Sequence, residues 1–527
     1  MAFSALSPAR TIHLLELHPG PTSSVLSCKI HQACLGDPLF KYKALSYCWG
    51  DSATPATMYV DGKAVKIGHN LDLCINLQDP KERSRLVAMM KDIYAGAEEV
   101  VVWLGEEGSD TLRAFRLLHG LADLWDMAPE DAKRLLSSLV RNQQFRAHWL
   151  ALGQFLGRAW WQRIWVLQEI VMARKSFVLC GRWAAEWDQI ERATASFKES
   201  FIYIDELQES NIFHQSEELR TFRQNAANLL LIKRLRIFVK DGCLRSSRHD
   251  FSNLLELAKD KDTTEPRDKI YALLGIGKEL KCPDLLEVDY AITACQLYMR
   301  VCQVLYHYTG TVNFLELIER DRIAMDEQDL GLPDWCPDWR APSARSDSFA
   351  FLDGVTVSPR YPNSESRTIR LEFTRGSTSK CKFDLESKRL MVKGFKVDRV
   401  RAVEMRWVDL DAEFRASLEP TKSYGKRICW HLPSPEEEHE CNIFWSSRLS
   451  SVRLPENENE LTLGPPNVKS REVAQLNTSC FKTQRHQLLG QTNVPVQQGD
   501  YICAFLGARM PYILRLQNGT WRFIGQW

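Results

Sequence analysis

A chain of 527 residues is too long for one compact core, so two or three domains are expected. Its 68 Lys and Arg against 67 Asp and Glu leave a net charge of +1, which argues against a bulk pull toward nucleic acid or an anionic membrane. Apolar residues make up 44% and charged residues 26%, an ordinary globular composition, with no run apolar enough to span a membrane and no apolar amino-terminal segment that reads as a signal peptide. Fifteen cysteines lack any Cys-x-x-Cys spacing, which predicts neither a zinc site nor a redox motif. A reduced, cytoplasmic protein with free thiols fits that usage. Sixteen tryptophans, several of them paired, read mainly as packing residues.

Residues 1–42 predict two short strands around the polar turn Gly20-Pro21-Thr22-Ser23-Ser24. Next, Ala44-Leu45-Ser46-Tyr47-Cys48-Trp49-Gly50 sets an apolar run before a small polar–aromatic turn. It reads as a strand delivering Ser46, Tyr47, Trp49 and Gly50 to its carboxyl end, where open α/β sheets bind ligands. Leu86, Met90, Ile93 and Ala97 recur at helical spacing. Asp79 and Glu82 have capping-box spacing and Pro80 suits the first helical position, so a helix is predicted from Pro80 to Ala97. Val100-Val101-Val102-Trp103-Leu104 predicts a strand buried on both faces. A second helix starts near Thr111, capped by Ser109 or Asp110. Helix, buried strand, loop and helix form the repeating unit of a doubly wound α/β fold.

Residues 128–260 read as mainly helical, with Ala226 to Val239 an amphipathic packing helix. Pro266 opens a short helix that Gly275 is expected to stop, and residues 286–318 supply another helical stretch. Ser, Arg, Pro and Asp dominate 341–366, a linker. Period-two alternation at Arg389–Gly394 and Tyr501–Leu506 then predicts a smaller β-rich domain over 367–527. Within it the polar stretch 433–475 reads as a mobile insertion.

Chemistry-bearing residues have two readings each. Glu82 is either an acid or half of a capping box. Glu106, Glu107 and Asp110 are either a ligand-binding cluster or a solvated acidic loop. Gln168-Glu169 lies in an aromatic-rich helix; a buried Glu169 needs a partner, for which Arg158 or Arg163 is placed, or it belongs to a site. Arg267 and Asp268 read as helix-start ion pairs. The histidines form no ligand spacing, no Ser-His-Asp or Cys-His arrangement stands out, and no metal is expected. The absence of G-x-G-x-x-G and G-x-x-x-x-G-K-[ST] argues against a nucleoside triphosphatase and a standard dinucleotide fold.

Three blocks occur in order: Leu45-Ser46-Tyr47-Cys48-Trp49-Gly50; Cys74-Ile75-Asn76 running through Glu82-Arg83 and Ile93-Tyr94 into Val101-Val102-Trp103-Leu104-Gly105; and Arg158-Ala159-Trp160-Trp161-Gln162-Arg163-Ile164-Trp165-Val166-Leu167-Gln168-Glu169. Together, over residues 43–187, they resemble the fungal heterokaryon incompatibility (HET) domain. Arg267-Asp268-Lys269-Ile270-Tyr271-Ala272-Leu273-Leu274-Gly275, Asp289-Tyr290 and Leu332-Pro333-Asp334-Trp335-Cys336-Pro337-Asp338-Trp339 resemble later parts of the long proteins that carry it. One departure stands out. Asn70-Leu71-Asp72-Leu73 runs straight into Cys74, where the family places a further helix and strand, as an excised exon in the gene model or a decayed paralogue would produce.

The resemblance implies a Toll/interleukin-receptor-like, flavodoxin-like parallel sheet over 43–187, with the strands of 1–42 packed on it. A helical region over 188–340 and the β-rich domain follow. It implies an effector or scaffold in fungal non-self recognition that triggers programmed cell death through self-association and protein contacts. It implies no cofactor and no nucleic-acid partner. The alternatives are an NAD-cleaving enzyme, with NAD as substrate and Glu169 or Glu82 as the catalytic acid, or an inactive copy. The motif residues it marks are Ser46, Tyr47, Trp49, Gly50, Cys74, Asn76, Trp165, Gln168 and Glu169.

Overall fold

The computed structural model describes residues 10–20, 25–37, 40–48, 56–67, 80–209, 217–241, 250–279, 286–318, 329–340, 379–404, 459–463, 479–485, 489–492, 496–508 and 511–526. The chain divides into two units, one over residues 1–291 and one built from 292–346 and 356–527, with residues 347–355 assigned to the first. It is a mixed α/β protein, with parallel pairing in the first unit and a largely antiparallel sheet in the second. Among the described residues, no helix is long and apolar enough to cross a membrane.

In the first unit, β1 (Thr11–Leu17) and β2 (Ser27–Cys34) pair antiparallel, and Pro21 to Ser24 of the expected turn lie outside the described residues. β3 (Lys43–Tyr47) follows, then β4 (Ala56–Val60) and β5 (Lys63–Ile67), which join β1 and β2 in a small sheet of order β1-β2-β4-β5. Ile12, Ala33 and Leu35 of this sheet region pack on Leu86, Met89 and Ile93 of α1 (Pro80–Gly96). Those apolar residues are spaced three to four apart, which is why one face of α1 is the buried one.

β3 belongs to a second sheet with β6 (Glu99–Trp103), which α2 (Thr111–Asp123), α3 (Pro129–Arg141), α4 (Arg146–Leu156), α5 (Ala159–Gln162) and α6 (Trp165–Val171) follow. β7 (Ser176–Cys180) and β8 (Trp183–Glu186) complete it in the order β3-β6-β7-β8. The first three strands are parallel and β8 turns back antiparallel. β6 is bonded on both sides, with Val100 and Val102 fully buried. Residues 68–79, where the absent helix–strand unit is expected, lie outside the described residues.

α7 (Trp187–Glu209), α8 (Glu217–Asp241), α9 (Asp250–Leu257) and α10 (Asp268–Glu279) finish the unit. The described part of residues 128–260 is mainly helical, as expected, with Ser176–Cys180 and Trp183–Glu186 as two short strands within it. Two expectations are corrected. Asp110 occupies the N-cap of α2 without capping it, since its carboxylate is turned to Arg113. Gly275 does not end its helix. α10 runs on to Glu279, and a Cβ at Gly275 would lie 2.8 Å from the Gln168 side chain and 2.9 Å from Lys91 Cβ, so the glycine permits close helix packing.

In the second unit α11 (Ala294–Thr309) opens with a capping box, Thr293 with Gln296, and closes at Gly310 in the left-handed region. β9 (Cys381–Asp384) leads to β10 (Arg389–Glu404), a sixteen-residue strand that also pairs with β11 (Asn459–Leu463), β12 (Ser479–Thr483) and, later, β14 (Tyr501–Phe505). β13 (Leu489–Thr492) extends β12, and β15 (Tyr512–Gln517) with β16 (Thr520–Gln526) extends β14. β11, with Leu463 buried, falls within 433–475; the rest of that stretch and the linker 341–366 lie outside the described residues. One face of the sheet builds a core of Val397, Val400, Phe481, Ile502, Ala504, Ile513 and Ile524.

α4 and α8 touch through Gly153, where an added Cβ would meet the Phe222 backbone nitrogen at 2.7 Å and Cα at 2.8 Å. Backbone atoms of a packed helix cannot swing aside. Gly153→Ala is therefore expected to cost about 2 kcal/mol in urea unfolding, overpacking outweighing the gain of about 1 kcal/mol in helix propensity. A more stable variant would show that the two helices separate easily.

Candidate functional site

The parallel pairing of β3 with β6 sets Ser46 opposite Val102 near the carboxyl end of the sheet. Alternation along β3 turns Ala44 and Ser46 inward and leaves Leu45 exposed. Ser46 is 1% exposed, so its hydroxyl needs partners inside the protein. It finds two. Trp160 of α5 donates Nε1–H to Ser46 Oγ at 2.8 Å, and Ser46 donates its own proton to Glu169 Oε2 of α6. The indole, hydroxyl and carboxyl thus form a buried chain running from α5 through β3 to α6.

Glu169 is 3% exposed, and burial raises its pKa above the ordinary carboxylate range. The charge of Arg163 and the Ser46 hydrogen bond pull the other way without cancelling the burial. Of the two arginines considered, Arg163 is the one whose charge acts on Glu169. Its guanidinium also donates to the Tyr47 carbonyl, whereas Arg158 donates to the carbonyls of Leu104 and Glu106, both at 2.9 Å. Tyr94 of α1 donates to the Leu45 carbonyl at 3.2 Å, and burial pushes its phenol pKa well up, with Glu169 adding to the shift. Cys48, half-buried just past β3, has a thiol raised by burial; Arg163 opposes that shift and Glu169 reinforces it.

The other expected residues divide. Gln168, 2% exposed, packs its amide against Gly275. Trp165 donates Nε1–H to Asp268 at 3.1 Å. Asp268, buried and raised by desolvation, also accepts from Tyr290 Oη and faces Arg83 at 3.5 Å. The Arg83 guanidinium stacks 3.9 Å from the Tyr290 ring centre. Asp268 is therefore a junction of three segments, while Arg267 makes the nearby ion pair with Glu265 at 2.8 Å. Glu82 is half-buried in the first turn of α1 and is not among the hydrogen-bonded members of the Ser46–Glu169 chain. Glu107 pairs with Arg182 and Asp110 with Arg113, and among the described residues no three His, Cys, Asp or Glu side chains converge as a metal site. Trp49, Gly50, Cys74 and Asn76 lie outside the described residues.

Sequence reasoning missed Trp160 as a donor and the clamp beneath it. Lys261 is 1% exposed and donates Nζ to the Trp161 carbonyl at 2.5 Å and to Asn228 Oδ1 at 2.7 Å. Burial lowers its pKa to about 7. Ile164 and Asp262 add backbone bonds of 3.0 and 2.7 Å that tie the α5–α6 corner to residues 258–262. The Trp160-Trp161-Gln162-Arg163 run was a signal for the donor. Nothing local marked the lysine. Chemically, the arrangement holds a buried carboxyl group whose pKa is raised by burial and which is already engaged by a hydroxyl.

Residues 72–169 match the family described as heterokaryon incompatibility protein (HET), a match that ends on Glu169. The chain is similar to heterokaryon incompatibility protein 6, OR allele, of Neurospora crassa, at 23% identity over 413 residues. That alignment covers 64% of this chain and 59% of the relative, so the chain spans about three-fifths of the length of the curated protein it matches. No solved structure matches it.

Ser46→Ala removes the donor to a buried carboxyl and leaves the Trp160 indole unpaired. It is expected to destabilise the first unit by about 2 kcal/mol, read by urea unfolding; an unchanged midpoint would show that water replaces the hydroxyl. Glu169 gives a pH signature. Its raised folded pKa means the native state holds the proton more tightly than the unfolded chain, so stability present at low pH is lost as pH rises through the folded value. Glu169→Gln stays neutral, so its stability relative to the parent should grow as pH rises above the ordinary carboxylate range. A difference flat with pH would place the carboxyl in a wetter site.

Proposed function

Residues 72–169 of this chain match the heterokaryon incompatibility domain, and from that premise we propose that the chain acts as an effector or scaffold in fungal non-self recognition. In this reading it triggers programmed cell death through self-association and protein contacts in the cytoplasm, and needs no cofactor. The observation that carries it is the enclosure of Glu169. A catalytic acid must reach a substrate, yet this carboxyl is 3% exposed and is bonded to a serine that is 1% exposed. Such a group suits the role of fastening α6 to the sheet edge. The parallel order β3-β6-β7 with helices between is compatible with a Toll/interleukin-receptor-like sheet, which we propose as the fold relationship on that ground alone.

The test uses the full chain. Purified protein is expected to leave NAD intact, to form dimers or larger species by light scattering, and to arrest growth when expressed in fungal cells. Turnover of NAD that disappears in Glu169→Gln, with folding retained, would replace the scaffold by an enzyme. A monomer that leaves growth unaffected would mark the chain as inactive.

A further inference from the structure

Among the described residues, the two faces of the second unit's sheet differ. On the face opposite the Val397–Ile502 core, Phe505 and Tyr512 stack at 5.0 Å, with Phe523 5.6 Å from Tyr512. Toward the other end of the same face lie Tyr501 and Trp521, edge to face at 5.1 Å. Register places two cations with them. Lys396 is opposite Cys503 and Arg399 opposite Tyr501, so both share the face of Tyr501. Residues three apart on a regular strand point to opposite faces. Here a bulge between Lys396 and Asp398 shifts the register and turns both side chains the same way. Leu516, opposite Trp521, lies on the same face and is 50% exposed.

The cations stand over the rings. Lys396 Nζ is 4.9 Å from the Trp521 centre and 5.9 Å from the Tyr501 centre, and the Arg399 guanidinium is 4.6 Å from Tyr501. Both are exposed, and among the described residues neither is paired with a carboxylate. The neighbouring acids are committed elsewhere. Asp500 is held by Arg515 at 2.7 and 2.9 Å, and Asp398 accepts from the backbone of Arg399 and Arg485 at 2.7 and 2.8 Å. Arg399 donates Nε–H to the Gly499 carbonyl at 3.0 Å.

We propose that this face, Lys396, Arg399, Tyr501, Trp521 and Leu516, docks an extended acidic segment of a partner protein. Carboxylates two residues apart on an extended chain project to one side about 7 Å apart, a spacing suited to two cations that share one ring. Leu516 offers apolar contact beside them. The rings favour a protein over a nucleic acid. Stacking of bases needs a bare aromatic face, and here Trp521 is 9% exposed and lies under Lys396, while Tyr501 lies under Arg399. The inference does not rest on the function proposed for the first unit.

The test is fluorescence anisotropy of the full chain with a labelled Glu-Gly peptide carrying one central Leu, beside a labelled oligothymidylate of equal charge. The peptide is expected to bind in a salt-sensitive way and to lose about tenfold or more with Lys396→Glu and Arg399→Glu together. Lys396→Gln with Arg399→Gln should give a smaller loss, and serves if the reversed pair fails to fold. Arg134→Glu, in α3 of the first unit, should change nothing. Absence of peptide binding, equal binding by the neutralised variant, or tighter binding of the oligonucleotide would each overturn the assignment.

Discussion

A single buried chain of donors, Trp160 to Ser46 to Glu169, ties three elements of the first unit together. The serine is the middle of it, donating one bond and accepting another. A hydroxyl in an apolar interior that loses either bond leaves a polar group unsatisfied at a cost of about 1–3 kcal/mol. The carboxyl beyond it is more exacting, because a buried charge without a partner costs more still. The protein meets that demand by raising the pKa of Glu169 and by holding Arg163 nearby. The position of α6 against β3 follows, and with it the placement of Gln168 on α10 and of Trp165 on Asp268.

The same logic recurs outward from that chain. Asp268, Lys261, Lys269 and Arg236 are all buried ionisable groups, and each satisfies an irregular stretch of backbone or an orphan indole. Arg236 of α8 bonds Glu191 at 2.5 Å and the Ile170 carbonyl at the end of α6 at 2.5 Å. Lys269 caps the carbonyls of Lys259 and Lys261. Buried charges of this kind add little net stability, but they reject alternative packings, since a shifted helix would strand them. They also explain why residues 258–279 and 286–290, beyond the matched 72–169, fold with the first unit. The segment supplies the partners that the α5–α6 corner needs.

The second unit is governed by one strand. β10 is long enough to bond several others, and its bulges change which side chains face which way. Its inner face is a conventional apolar core, while the other face grades from stacked aromatics to exposed cations. A bulge rather than composition brings Lys396 and Arg399 together, so no reading of periodicity along β10 would have paired them.

What the sequence by itself determined is the local grammar: β1 and β2 as two short strands, α1 from Pro80, β6 as a continuous apolar run, α2 from Thr111, and the resemblance carried by the motif blocks. These follow from nearest-neighbour patterns, in which apolar spacing of three to four or of two decides what a segment can bury. The motifs also named Ser46 and Glu169, as separate candidates. That they form one hydrogen-bonded pair across 123 residues was decided only by the tertiary structure. So were the helical course through Gly275, the choice of Arg163 over Arg158, and the lowered pKa of Lys261. The physical reason is common to all of them. Burial and partner choice depend on which distant segments exclude water from a group, and that is a property of the packed chain rather than of its neighbours in sequence.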